Sequence, residues 1–416
     1  MTRIKKIPRK DYGIFVDIVA NAYPGMQINT REEKERSKRM LLGAVRRSGT
    51  YHFGAYQKDT MVGVMALYDF MMNMAGSTIP VGGIGLVAVD LLHKKEKICR
   101  DMVTYFINRY HRQNVRMLAL YPFRPDFYKK MGFGYGALLN QYSIRPGDLP
   151  QTPGKTNVRF LHKRDTRSIK ACHGHFLRQR HGMMTDRETK WLHLFDNPKT
   201  KVVGYKDRRM LSGYIIFTFR KAHETNWIKN DIVIREFIYE SREAFSGLIA
   251  FLRSQSDQVN RIIYGTQDEH FHYILQDIRS GNDNLLLPLA HESHSQGIGV
   301  MYRVIDVPGL FRDLAAHRFG TVTLCLKITV TDSFYPANAG STVVCFTDGR
   351  PSVSKGKRCD AEITIDISDF SSLITGAVDF RHLYRFGLAE ISNEQYIQHV
   401  DQLFRIDEKP LCMTQF

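Results

Sequence analysis

An apolar run, Leu86-Val87-Ala88-Val89, passes across four residues into the lysine-rich stretch Lys94-Lys95-Glu96-Lys97, which opens a helix-forming segment reaching Tyr110. A second apolar run, Val115 to Tyr121, follows it. Strand, basic helix and strand make a βαβ unit, whose crossover is almost always right-handed, so this region is committed to an α/β fold. Ile98, Met102, Phe106 and Tyr110 recur at helical spacing and supply the buried face. The first turn of a helix presents unpaired backbone N–H groups with partial positive charge, and Lys94, Lys95 and Lys97 add full charges beside them. A diphosphate is the natural occupant, and a phosphate-bearing cofactor is the expectation.

The flanking sequence builds the same kind of domain. Lys10 to Ala22 is predicted as an amphipathic helix burying Tyr12, Phe15, Val16, Ile18 and Val19, and Arg31 to Arg47 as a second, charged one. His52–Tyr56, Met61–Asp69 and Ile79–Val89 alternate as strands of a meander, turned at Gln57–Thr60 and Ala75–Thr78. Gly82-Gly83-Ile84-Gly85 falls inside the last strand with no helix directly after it, so it marks a bulge or a close packing contact, not a nucleotide loop.

A stretch rich in proline and glycine, Arg145 to Asn157, reads as a linker. Beyond it a helix (Asp165–Gln179), a hairpin (Lys201–Tyr205 with Gly213–Arg220), a strand (Asp231–Tyr239), a helix (Glu243–Ser254) and a strand (Arg261–Gly265) repeat the order of the first domain. This second copy has no basic turn, since Tyr239-Glu240-Ser241-Arg242-Glu243 is near neutral, and is expected to have lost the cofactor. A third region follows Asp277–Asp283. Met301–Val307, Gly320–Thr331, Val343–Thr347 and Ala361–Ile367 read as its strands, with helices at Leu310–His317 and Ser368–Thr375.

Bulk properties narrow the class. At 416 residues the chain exceeds one ordinary core and calls for two or three domains. No apolar run is long enough to span a bilayer, and Met1 to Lys6 lacks the apolar core of a secretion signal. The formal charge is +17, yet residues 291–416 hold 12 Lys and Arg against 15 Asp and Glu, so the whole positive excess lies in the first 290 residues. No zinc-finger spacing, helix-turn-helix or RNA-binding motif accompanies it, which argues against dedicated nucleic-acid binding. Cys99, Cys172, Cys325, Cys345, Cys359 and Cys412 show no paired spacing, so free thiols in a reducing cytoplasm are expected. Cys172-His173-Gly174-His175 with His181 and His193 has irregular ligand spacing and is expected to hold no metal. Cys99, at a helix start among lysines, is expected to have a lowered thiol pKa without acting as a nucleophile.

Leu86 to Cys99 resembles motif A of the GNAT superfamily of acetyl-CoA-dependent N-acetyltransferases, in which a V-x-V strand precedes R-x-x-G-x-G/A at a helix start. Lys97 and Cys99 stand where that family has small residues. Phe127-Tyr128 followed by Gly132-Phe133 is similar to the F-Y-x-x-x-G-F element of the same enzymes, and the strands ending in Asp369-Phe370-Ser371-Ser372-Leu373-Ile374-Thr375-Gly376 resemble a sterol carrier protein fold. With the ending Pro410-Leu411-Cys412-Met413-Thr414-Gln415-Phe416, this order resembles the enhanced intracellular survival (Eis) family of N-acetyltransferases.

The resemblance implies an α/β (α+β) chain of tandem GNAT-like mixed-sheet domains, residues 1–150 and 151–285, followed by a sterol-carrier-like α+β domain, 286–416. It implies acetyl transfer from acetyl-CoA to a primary amine such as an aminoglycoside, a polyamine or a lysine. The C-terminal carboxylate of Phe416 would be the base and Tyr128 the acid. Val87, Ala88, Val89, Lys94, Lys95, Lys97, Ile98, Cys99 and Arg100 would hold the cofactor, and the Val89 N–H would polarise the thioester carbonyl. Tyr23-Pro24-Gly25-Met26 and Leu86 would line the acceptor pocket. Gln415 replaces an acidic penultimate residue common among relatives, leaving Asp69, Glu32, Glu33 and Asp407 as the acids able to attract a polycation. The implied setting is cytoplasmic, without metal, as a homo-oligomer with a hexamer among its forms. The rival reading is a non-catalytic acetyl-CoA sensor or lipid-binding protein on the same scaffold.

Overall fold

The computed structural model describes residues 2–46, 49–207, 210–356 and 358–416. Two compact units emerge, one made of residues 1–136, 300–406 and 415–416, the other of 137–299 and 407–414.

The first unit opens with strand β1 (Arg3–Lys6), helices α1 (Tyr12–Ala22) and α2 (Arg31–Val45), and strands β2 (Thr50–Gln57), β3 (Thr60–Met74) and β4 (Ser77–Val89). Helix α3 (Ile98–Arg112), strand β5 (Met117–Leu120), the short helix α4 (Pro125–Lys129) and strand β6 (Gly134–Tyr135) complete its first module. β1 to β4 run antiparallel in sequence order and β5 joins β4 in parallel. Tyr12, Phe15, Val16, Ile18 and Val19 of α1 are all buried, as their spacing required, and close one face of the sheet with Tyr56, Val64 and Ala88. Ile98, Met102, Phe106 and Tyr110 of α3 close the other against Phe53, Val62, Met65 and Leu118. α2 has no fully buried side chain; its Leu41 and Leu42 pack partly buried on the same core as α1, and it opens on a reciprocal cap, the Thr30 hydroxyl accepting from the Glu33 N–H while Glu33 accepts from the Thr30 N–H. The end expected for it at Arg47 lies outside the described residues.

Three expectations are corrected here. The strand Met301–Val304, placed by its sequence in the third module, pairs with β5 and β6 in the first sheet. It is buried throughout, and a strand buried on both faces needs neighbours on both edges. The chain then forms a helix at Val307–Asp313, earlier than foreseen, because the Asp306 side chain caps it by accepting from the Gly309 N–H. Cys325 and Cys345, expected as free thiols, form a disulfide. The antiparallel pairing of Leu324–Thr331 with Gly340–Thr347 sets them directly opposite each other, a proximity invisible from their separation in sequence.

Those two strands belong to a five-stranded sheet with Arg350–Ser354, Ala361–Asp366 and Ala389–Ile391. Every residue of its helix Ile367–Ile374 is buried. The second unit contains the sheet order 295–298, 138–144, 259–266, 230–239, 210–221, 201–207, 158–160, with helices Thr166–Gln179 and Arg242–Arg253. Strand Leu138–Ile144 thus enters the second sheet before the proline-rich stretch begins. The helices, the hairpin and the two further strands foreseen from Asp165 to Gly265 are present, and those two strands pair in parallel.

Candidate active site

β4 and β5 pair in parallel from Val81 with Met117 to Ile84 with Leu120, and then part. Beyond this point β4 keeps β3 on one side only. The Asp90 N–H reaches the Val62 carbonyl, and strand alternation therefore turns the backbone groups of Ala88 towards β3 and those of Val87 and Val89 away from it. A bulge at Leu86, held at φ 49°, sits at the start of this edge. The Tyr23 hydroxyl donates to the Val87 carbonyl at 2.7 Å.

The helix expected from Lys94 begins at Ile98. Lys95 and Lys97 adopt left-handed backbone, φ 67° and 63°, which no helix can continue through. This loop carries the exposed Lys94, Lys95 and Lys97 around the helix start. No side chain caps α3, so the N–H groups of Ile98, Cys99 and Arg100 remain available to an anion. Lys97, standing where the family has glycine, holds the backbone shape that glycine would adopt freely. The lowered thiol pKa expected of Cys99 is overturned. Burial pushes it up to about 11, outweighing the pull of Lys94.

Tyr128, on α4, is 6% exposed. Burial, and after it the proximity of Cys99 and Tyr23, raises its phenol well above the ordinary value. Tyr23 is pushed up to about 12, again by burial first and Cys99 second. Tyr128, Tyr23 and Cys99 therefore share one neighbourhood beside Val87.

Phe416 arrives at the same edge. Its ring packs on Phe70, Tyr121 and Tyr68 with centroids 4.9, 5.3 and 5.8 Å away. A Cβ on Gly85 would lie 2.9 Å from the Phe416 carbonyl carbon, and one on Gly83 would lie 3.1 Å from its ring. On Gly82 it would strike the Tyr110 ring. The glycine cluster is thus the berth for Phe416 and Tyr110. It was the one trace in the sequence of a contact whose aromatic partners, Tyr68, Phe70 and Tyr121, carry no motif.

Two of the four acids expected to attract a polycation are engaged in hydrogen bonds. Asp69 accepts from the hydroxyls of Tyr110 and Tyr51 at 2.8 and 3.0 Å, Glu33 is used in its helix cap, Glu32 is exposed on α2, and Asp407 belongs to the second unit.

In the second unit the parallel strands 230–239 and 259–266 part after Ile234 and Tyr264. The following helix is capped, the Ser241 hydroxyl accepting from the Ala244 N–H. A cavity of about 360 Å³ lies there, walled in part by Phe237, Tyr239, Tyr264 and Phe271 and by tail residues Leu411 and Met413. The tail is tied down. The Cys412 N–H donates to Gln267 Oε1 at 2.5 Å, the Leu411 N–H to the His181 carbonyl at 2.9 Å, and the Thr414 hydroxyl to the Met184 carbonyl at 2.8 Å.

Of the histidines weighed for metal, His175 and His193 are exposed, while buried His173 lies 2.9 Å from Asp186. His173, Asp186 and Glu236 could together ligate an ion. Lys190 Nζ instead lies 2.5 Å from both carboxylates. Burial opposes its charge, but Glu236 and Asp186 outweigh that and hold its pKa up.

Residues 3–136 match an acetyltransferase (GNAT) domain, residues 182–304 a second acetyltransferase (GNAT) domain, and residues 311–413 a sterol carrier protein domain. The chain carries two GNAT domains and a sterol carrier domain. Its class is accordingly that of an N-acetyltransferase. No curated protein matches the sequence significantly. Among solved structures, a GCN5-related N-acetyltransferase from Anabaena variabilis is similar over 100% of both chains, with 17% identity and a TM-score of 0.81. Eis1 from Mycobacterium abscessus is similar over 100% of both, with 19% identity and a TM-score of 0.78. A probable N-acyltransferase from Enterococcus faecalis aligns over the same share at 22% and 0.76. The fold expected of the Eis-like arrangement is therefore present. Among the described residues no helix is long and apolar enough to cross a membrane.

Proposed function

We propose that the first GNAT domain transfers acetyl from acetyl-CoA directly to a primary amine, with the carboxylate of Phe416 as base and Tyr128 as acid. The observation that carries this reading is the seat of Phe416 against Gly85, where β4 and β5 part.

The residues present suit the cofactor. Val89 and the N–H of Val87 lie on a strand edge with no neighbouring strand and suit the pantetheine amides, the Val87 carbonyl being held by the Tyr23 hydroxyl, and the free N–H groups of Ile98 to Arg100 with Lys94, Lys95 and Lys97 suit the pyrophosphate. Acetyl-CoA supplies an activated thioester. An amine is mostly ammonium near neutral pH, so a proton must leave before nitrogen attacks, and a carboxylate at this edge can take it directly or through water. The Val89 N–H, turned away from β3, can polarise the thioester carbonyl. Tyr128, its pKa raised, stays protonated across the working pH range and can deliver a proton to the departing thiolate.

The acceptor class is an aminoglycoside, polyamine or lysine-like amine. Of the acids foreseen for a polycation, Asp69 and Glu33 are already held by hydrogen bonds, and Glu32 is exposed on α2. A homo-oligomer and a cytoplasmic setting belong to the same reading, although the Cys325–Cys345 disulfide fits a reducing compartment poorly. The lipid-carrier alternative finds less support. A cavity of about 570 Å³ in the sterol carrier domain is lined by Lys327, Ser341, Thr342 and Lys355 together with Pro308, Val343 and Val353, a mixed wall that does not single out a lipid.

The test is to extend the chain by one glycine beyond Phe416 and follow thiol release from acetyl-CoA with spermidine, tobramycin and a lysine peptide. A loss of roughly 10²- to 10⁴-fold in kcat is expected, with KM for acetyl-CoA held. Full turnover of any amine by the extended chain would remove the proposed base.

A further inference from the structure

We propose that the sterol carrier domain is a working part of the acetyl-transfer site, setting the position of Tyr128 through Asp332 and Asp369 and through Arg303 on the preceding strand. This rests on the reading of Tyr128 as the acid.

Tyr128 sits on a helix of five residues, too short to hold itself in water. Its own first-turn pair, Arg124 with Asp126, is exposed and contributes little. What fixes the helix lies at its other end. The N–H groups of Met131 and Phe133 both donate to the Tyr128 carbonyl, at 2.9 and 3.1 Å, closing the turn through Gly132 at φ 79°. A Cβ on Gly132 would overlap the Arg303 guanidinium. Arg303 donates to the Met131 carbonyl and, at 2.6 Å, to Asp332 Oδ2, with both side chains wholly buried. Asp332 is fixed in turn by the Tyr335 N–H on Oδ1 at 2.8 Å and by the Asn338 amide on Oδ2 at 3.2 Å. The guanidinium lies 6.0 and 5.9 Å from the rings of Phe133 and Phe334.

A second tie reaches α4 itself. Lys129, the neighbour of Tyr128, pairs with Asp369 at 2.9 Å, and the Asp369 side chain is only 10% exposed. Asp369 lies on the buried helix Ile367–Ile374, which also accepts the Val304 N–H through the Ser371 hydroxyl at 2.9 Å. Arg303 and Lys129 thus tie the C-terminal end of α4 and the turn after it to Asp332 and Asp369, both within the sterol carrier match at 311–413.

Buried ion pairs add little net stability compared with apolar packing, so what this one supplies is fixed geometry. Displacing a reacting group by about 1 Å can cost up to a hundredfold in rate. Arg303, Asp332, Lys129 and Asp369 are therefore positioning residues for Tyr128.

The test uses the full chain, with kcat and KM for acetyl-CoA measured on spermidine or tobramycin, whichever turns over faster. D369N and K129M should each lower kcat roughly tenfold with KM unchanged, and the double variant should fall no further than either single one. D332N should lower kcat by roughly a hundredfold, with folding checked by circular dichroism. In crystals of D369N, with its folding checked in the same way, the Tyr128 ring should shift by about 1 Å. If Y128F lowers kcat while D369N, K129M and D332N do not, the positioning role is wrong and the acid reading stands. If Y128F is silent, the acid reading fails, and an unmoved Tyr128 ring in D369N crystals would overturn the positioning role as well.

Discussion

The two GNAT domains solve the same local geometry in opposite ways. In each, two parallel strands pair for a few residues and then part, leaving a cleft at the end of the sheet. In the first domain the strand edge past the parting has no neighbouring strand, the next helix starts without a side-chain cap, and three lysines stand on the loop before it. In the second, Ser241 caps the helix, the turn before it is near neutral, and residues of the chain's own tail form a wall of the cleft. A helix start can serve an anion or its own cap, and the cap occupies a donor the anion would need. One scaffold thus yields an uncapped, lysine-flanked helix start in one copy and an anchorage for the tail in the other.

The comparison can be broken most severely in the second domain. Lys190→Met would leave Asp186 and Glu236 buried without their ammonium, and a loss of about 3 to 5 kcal/mol is expected, read as a lowered Tm by calorimetry. An unchanged Tm would mean that this cluster is not what holds the copy that lacks a cofactor loop. In the first domain, Lys97→Asp would place a carboxylate at the α3 start and repel diphosphate. KM for acetyl-CoA should rise roughly tenfold with kcat little changed, and an unaltered KM would detach the loop from cofactor binding. Ser241→Ala should cost the second domain about 1 kcal/mol and leave KM for acetyl-CoA unaffected.

The smallest effect is a matter of pH. The Cys99 thiol, ordinarily titrating near 9, is raised to about 11 by burial, so it stays neutral at pH 8 to 9. Iodoacetamide labelling followed by mass spectrometry should find it slower than an ordinary thiol, speeding up only as pH approaches 11. A raised pKa means the folded state holds the proton more tightly. The associated stability is present below pH 9 and disappears between 9 and 11. Fast labelling at pH 7 would show instead that the lysines govern this thiol.

Much of the fold was legible because it rests on local periodicity. The buried face of α1 matched its spacing residue for residue, and α3, the meander and the repeat of elements in the second domain followed from the same kind of pattern. What failed did so for identifiable reasons. Helix α3 starts four residues late because Lys95 and Lys97 occupy a backbone region that their side chains do not advertise. Cys99 has the charge environment of an activated thiol, but burial, which no local pattern reveals, dominates. Cys325 and Cys345 are paired by strand register alone. The candidate site was half visible, since the basic loop and Tyr128 lie on motifs whereas Tyr68 and Phe70 of β3 and Tyr121 beyond β5 converge on Phe416 from parts of the chain far apart in sequence.

By itself the sequence determined the elements and their charges: where the chain alternates, where a basic turn follows a strand, and where glycines leave room. These depend on residues a few positions apart, whose spacing is fixed by backbone geometry. Tertiary structure alone decided which strands became neighbours, that Met301–Val304 would complete the first sheet, that the last residue would settle on Gly85, and that Arg303 would be buried beneath the turn holding Tyr128. Those outcomes come from burial and from closure of long loops, and both are properties of the packed chain and not of any stretch within it.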